Sequence, residues 1–207
     1  MKKYWLIPVI ALTLICALPI LVIRAQPYDD RAMLELLPPD CPAPCLMGIR
    51  PGVHSLSAGV YFLEAHDWVA TRLEDMPSVV RLSVFYESGI PRTDIRWRWE
   101  TNIPTWINAT ERGTLTVENF DVKMLTIDTY LTVGDIALAL GDPDAVWYTD
   151  TDVSERRFEY SAWYASQQML IKAQGVCPLR HVYHFPVRVR LYAAPPRLTE
   201  PEAGACR

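Results

Sequence analysis

Apolar and polar residues alternate along several stretches of the 207-residue chain, and this alternation predicts strands. Val80, Leu82, Val84 and Tyr86 interleave with Arg81, Ser83, Phe85 and Glu87, and Phe158, Tyr160, Ala162 and Tyr164 interleave with Glu159, Ser161, Trp163 and Ala165. The same period runs through residues 94–100, 114–120, 169–173 and 187–192. A period of two gives each strand one buried and one exposed face, as in an antiparallel sheet covered by helices on one side. Two other segments carry the helical period. Leu56, Val60 and Leu63 follow Ser55, and Val133, Ile136, Ala137 and Leu140 follow Thr132, so a hydroxyl N-cap opens each predicted helix. The second helix meets a stop signal at Gly141-Asp142-Pro143. Most connections are short enough for hairpins and meanders, and the expected class is α+β.

The same patterns suggest a duplication. Residues 55–69 match 132–146 at an offset of 77, pairing Ser55 with Thr132, Leu63 with Leu140 and Asp67 with Asp144. Residues 80–88 match 158–166 at an offset of 78, pairing Ser83 with Ser161, Phe85 with Trp163 and Tyr86 with Tyr164. The unit exceeds the length of a solenoid repeat, so two copies of a small domain are expected. The expected organisation is a transmembrane anchor or signal peptide over 1–24, a Pro-rich spacer over 25–44, repeat 1 over 45–127, repeat 2 over 128–195 and a tail over 196–207.

Charge sets the expected location. Tyr4 to Ile23 carries no charged residue, a length that fits a bilayer span of roughly 20 residues. Lys2 and Lys3 precede the run and Arg24 follows it, which predicts a single-pass cell-membrane protein with a cytoplasmic N-terminus and residues 25–207 extracytoplasmic. A cleavage site at Ile23-Arg24-Ala25 places Arg at −2, so an uncleaved anchor is preferred to a cleaved signal. Removing residues 1–24 takes away three basic residues and no acidic one, leaving 17 against 24 and a net charge of −7. That balance argues against nucleic acid as a partner. Four cysteines remain, Cys41, Cys45, Cys177 and Cys206, and an even number in an oxidising compartment reads as two disulfides. Cys41 and Cys45 either close a small loop together or bridge to Cys177 and Cys206. The second pairing is preferred, since it ties the start of the first copy to the end of the second.

Ile49-Arg50-Pro51-Gly52-Val53 ahead of the first helix, Thr132 with Leu140-Gly141-Asp142-Pro143 around the second, and Trp163-Tyr164 in a strand carry a family resemblance. They resemble the SmpA/OmlA (BamE) family of small outer-membrane assembly lipoproteins. Two such units in one chain look like the β-lactamase inhibitory protein family. That resemblance implies tandem helix-plus-sheet repeats forming one curved sheet with helices on one face, whose concave side grips a partner. Both families imply binding without chemistry, and a fold does not fix a function.

Candidate chemistry is sparse. His181 and His184 form an H-x-x-H ahead of a strand, where i and i+3 point to opposite faces, so no metal pair is expected. Asp150-Thr151-Asp152 lacks the Gly and terminal Glu of a calcium loop and reads as a polar turn. Asn108-Ala109-Thr110 is a glycosylation sequon by pattern. No G-x-S-x-G or Gly-rich phosphate loop occurs among the nine glycines, and neither an enzyme nor a cofactor is expected. If Val80, Leu82, Val84, Ile95, Trp97, Trp99, Val187, Val189 and Leu191 are core, the opposite sheet face gathers arginines and aromatics. The candidate binding residues are Phe85, Trp163, Arg81, Arg96, Arg98, Arg188, Arg190 and Tyr192, types that interface centres favour. The expected function is a membrane-anchored extracytoplasmic binding module for an envelope or extracellular protein. A small-molecule or glycan sensor and a hydrolase assembled only by the fold are the alternatives.

Overall fold

Eight strands form one antiparallel sheet: β1 (Arg81–Glu87), β2 (Ile90–Trp97), β3 (Gly113–Glu118), β4 (Asp121–Thr132), β5 (Ala145–Asp152), β6 (Arg157–Tyr164), β7 (Met169–Val176) and β8 (Pro186–Tyr192). Their order is β1-β2-β3-β4-β8-β7-β6-β5. The computed structural model describes residues 15, 17, 18, 31–70, 81–87, 90–152, 156–177 and 179–196; for 81–87, 90, 91, 152, 179 and 180 it describes the backbone alone. The chain divides into two units, Met1–Arg31 and Ala32–Arg207, and the sheet belongs to the second.

Alternation places one face of β2, β3, β4, β6, β7 and β8 in the core. Ile95 and Trp97 of β2, Leu115 of β3, Leu125 and Ile127 of β4, and Val189 and Leu191 of β8 are buried in a single cluster with Phe158, Ile171 and Met169 from the other end of the sheet. Each such side chain stabilises the fold by about 1.5–3 kcal/mol relative to exposure. Three short helices, α1 (Arg31–Leu36), α2 (Leu56–Ala65) and α3 (Val133–Leu140), add Met33, Leu36, Leu63, Val133 and Ile136 to that cluster. Ser55 caps α2 through its hydroxyl, which accepts from the Ala58 amide at 3.4 Å. Thr132 caps α3 in a reciprocal box: its hydroxyl accepts from the Asp135 amide and the Asp135 carboxylate accepts from the Thr132 amide at 2.8 Å. Gly59 lets α2 approach the sheet closely, since a Cβ there would stand 2.9 Å from the Leu115 side chain.

The expectation of two helix-plus-sheet repeats behind a transmembrane helix is overturned. The sheet is one body, mostly β with few helices: β4 pairs with β8 at its middle, and strands on both sides share one core. The segments matched in the sequence do not occupy equivalent places either. Residues 81–87 form the edge strand β1, whereas residues 157–164 form β6, paired on both sides by β5 and β7. Any two amphipathic strands share a period of two, which is what that match registered.

The membrane anchor is corrected as well. Among the described residues no helix is long and apolar enough to cross a membrane, and of residues 4–23 only 15, 17 and 18 are described. A single-pass location, and the sidedness inferred from it, are therefore not supported.

Further differences are local. Residues 31–36, inside the expected spacer, form α1 with Met33 and Leu36 buried. The run 114–120 ends as a strand at Glu118, and Asn119 and Phe120 adopt left-handed φ values of 51° and 66°, a two-residue hairpin turn. Asp150 and Thr151 lie in β5 rather than in a turn. Cys41 and Cys45 are bonded to each other, with their Cα atoms 5.8 Å apart, so the preferred bridges from these cysteines to Cys177 and Cys206 are ruled out. The two lie only four residues apart in a turn-rich segment, which suffices to bring them into bonding distance. Cys177 is disulfide-bonded too, and Cys206 lies outside the described residues.

Candidate functional site on the open sheet face

Helices cover one face of the sheet, and the strand register assembles the other. Arg96, Thr114, Thr126, Arg190, Leu170 and Trp163 are successive partners across β2, β3, β4, β8, β7 and β6. A parallel row carries Asp128, Arg188, Lys172 and Ser161. Trp163 and Leu170 are only 6% and 3% exposed yet stand apart from the main core, and Trp163 meets Tyr192 edge to face at 6.2 Å. This face therefore has its own small apolar cluster, shielded from solvent.

Charges on this face are largely paired. Asp128 accepts from Arg188 Nε at 2.8 Å, Glu159 pairs with Lys172, and Asp94 lies 3.7 Å from Arg92 while accepting from the Thr116 hydroxyl at 2.8 Å. Arg96 and Arg190 lack such a carboxylate. The Arg190 Nε is shielded from solvent and has no acceptor, and so is the Ser161 hydroxyl.

The structure distributes the expected site residues unevenly. Arg96, Arg98 and Arg188 are exposed, while Arg190 and Tyr192 are half-buried. Trp163 is on the expected face but buried, because β6 and β7 are covered on both sides near their shared turn. The side chains of Arg81 and Phe85 lie outside the described residues; their positions are the register partners of Arg96 and Arg92. Sequence reasoning missed Asp128, Glu159, Lys172 and Leu170. Glu159 and Lys172 were visible as lone charges in apolar strands, a pattern that asks for a partner.

Two concavities accompany this face and its surroundings. A cleft of about 200 Å³ opens where β4 and β8 diverge beyond Asp128, and its wall includes Asn108, Tyr130, Gln174 and the Asp128–Arg188 and Glu159–Lys172 pairs. The Asn108 carbonyl of the sequon is occupied, accepting from the Thr110 amide and hydroxyl and from the Tyr130 hydroxyl. Elsewhere, Glu64, His66, Asp67 and Glu100 line a shallow depression of about 490 Å³. His66 Nδ1 accepts from the Trp68 amide at 3.2 Å, and burial lowers its pKa against the opposing pull of Asp67.

Among the described residues no three His, Cys, Asp or Glu side chains converge as a metal site. His181 and His184 sit ahead of β8 in a 3-10 turn (Leu179–His184), with ring centroids 6.2 Å apart. On the core side, burial raises the pKa of Tyr148, Tyr160 and Tyr164 above the usual 10.0. No family model, curated protein or solved structure matches the chain.

Proposed function

We propose that the chain is a non-enzymatic module that binds another protein through the open sheet face. The observation that carries this reading is Arg190. Its Nε is shielded from solvent and lacks an acceptor, and the residue stands beside Leu170 and the Trp163–Tyr192 pair. A shielded donor left unpaired costs about 1–3 kcal/mol, and a partner supplying the acceptor would recover that cost at the moment of binding. Arg, Trp and Tyr are also the side chains that dominate binding energy when clustered and dry. The Cys41–Cys45 disulfide suits a partner met in oxidising surroundings.

Affinity capture from an extract of the native source tests the reading. Wild type should retain a specific protein that Arg190→Ala and Arg96→Ala both lose, with circular dichroism unchanged. Equal recovery by all three would overturn it.

A second reading has its own observation, the cleft beside Asn108 and Tyr130. Its charges neutralise one another, so it suits a small neutral polar ligand such as a saccharide. Saturable calorimetric titration with a panel of neutral saccharides, lost in Gln174→Ala, would favour it over protein binding.

A further inference from the structure

Resting on the protein-binding reading, we infer that the partner presents an acidic, extended segment that lies across the strands, with two carboxylates four residues apart. On this face Asp128, Glu159 and Asp94 are each engaged by a base, and in the row that crosses from β2 to β6 two arginines have no such carboxylate. These are Arg96 on β2 and Arg190 on β8, with Thr114 and Thr126 between them in register. Two threonines between two arginines leave a shallow floor between tall cationic walls.

Three strand spacings separate the arginines, roughly 14 Å. An extended chain advances about 3.3 Å per residue, so side chains at i and i+4 stand roughly 13 Å apart and point the same way. Carboxylates at those positions reach both guanidinia, and Arg favours carboxylate through its planar fork of donors. The segment thus reads acid-x-x-x-acid.

Attraction of this kind is local. The chain as a whole is acidic, with a net charge of −4, so a distant acidic partner feels no general pull. Contact begins within about 10 Å at 0.1 M salt and weakens as salt rises.

Selection from a random nine-residue peptide display library on immobilised full-length protein tests the inference. Wild type is expected to enrich acidic residues at i and i+4, and Arg96→Gln and Arg190→Gln to lose that enrichment. A synthetic peptide of the selected sequence should bind about tenfold more weakly when either acid becomes Gln, a change that leaves the protein's fold untouched. Selected peptides rich in aromatics but without paired acids would sink the inference while leaving the protein-binding reading intact. Selection of nothing, together with failed capture in the previous test, would remove both. Saturable binding of a random single-stranded oligonucleotide, lost in the same arginine variants, would assign the arginines to phosphate and overturn the inference.

Discussion

Gly113 shows how tightly single residues are specified. It is the register partner of Trp97 across β2 and β3, and a Cβ there would overlap the Trp97 ring. Trp97 is fully buried, so the ring has nowhere to move. Gly113→Ala is expected to cost about 2–3 kcal/mol in urea unfolding, through overpacking. His66 makes a pH prediction of definite sign. Protonation removes the lone pair with which Nδ1 accepts from the Trp68 amide, and burial opposes the charge. The folded pKa lies below the ordinary 6.5, so between the two values the unfolded chain holds the extra proton. Stability is therefore fully present above 6.5 and falls as pH drops through that window. His66→Gln should flatten the pH dependence of the urea midpoint just below pH 6.5. Neither effect was legible beforehand. The alternation marked Trp97 as core, but nothing local to Gly113 announced an indole above it, and residue types alone did not show that the Trp68 amide would turn back onto His66.

At the scale of elements, the caps were readable and the staple was not. Ser55 and Thr132 open α2 and α3 as the hydroxyl-then-apolar pattern predicts, because a capping side chain acts on amides two or three residues away. The disulfide depends on how the chain turns between Pro42 and Pro44, which residue types alone do not determine. Its energetics distinguish the two pairings. A bridge closing the small Cys41–Cys45 loop stabilises by about 2 kcal/mol, whereas one closing the loop from Cys41 to Cys177 would contribute about 5 kcal/mol. The double variant Cys41→Ala/Cys45→Ala should therefore lose about 2 kcal/mol in urea unfolding. A loss near 5 kcal/mol would speak for the long-range bridge. The Trp106 indole, donating to Glu35 at 2.7 Å, provides a second tie, from α1 to the loop before β3. A separation of 71 residues hid it from sequence patterns.

For the whole molecule, the face of each strand was readable and the order of the strands was not. Alternation put Ile95, Val187, Val189 and Leu191 on the buried side and Arg96 and Arg188 on the exposed side, since side-chain direction depends only on parity. The pairing of Ile127 with Val189, which joins the two ends of the sheet, is a contact between distant segments that no local period encodes. The shared period instead suggested a duplication, with Phe85 equivalent to Trp163, and the sheet order contradicts it. The register also brings Arg96 and Arg190 into one row, and so turns scattered arginines into a surface.

Site-specific photo-crosslinking tests most directly whether that surface is where a partner binds. A photoreactive residue replaces Thr126, between the two arginines on the open face, or Leu138, 75% exposed on helix α3 of the covered side. The expected result is a protein adduct from position 126 that disappears with Arg190→Ala, and none from position 138. An adduct from position 138 alone, or equal adducts from both, would contradict the assignment of binding to the open face.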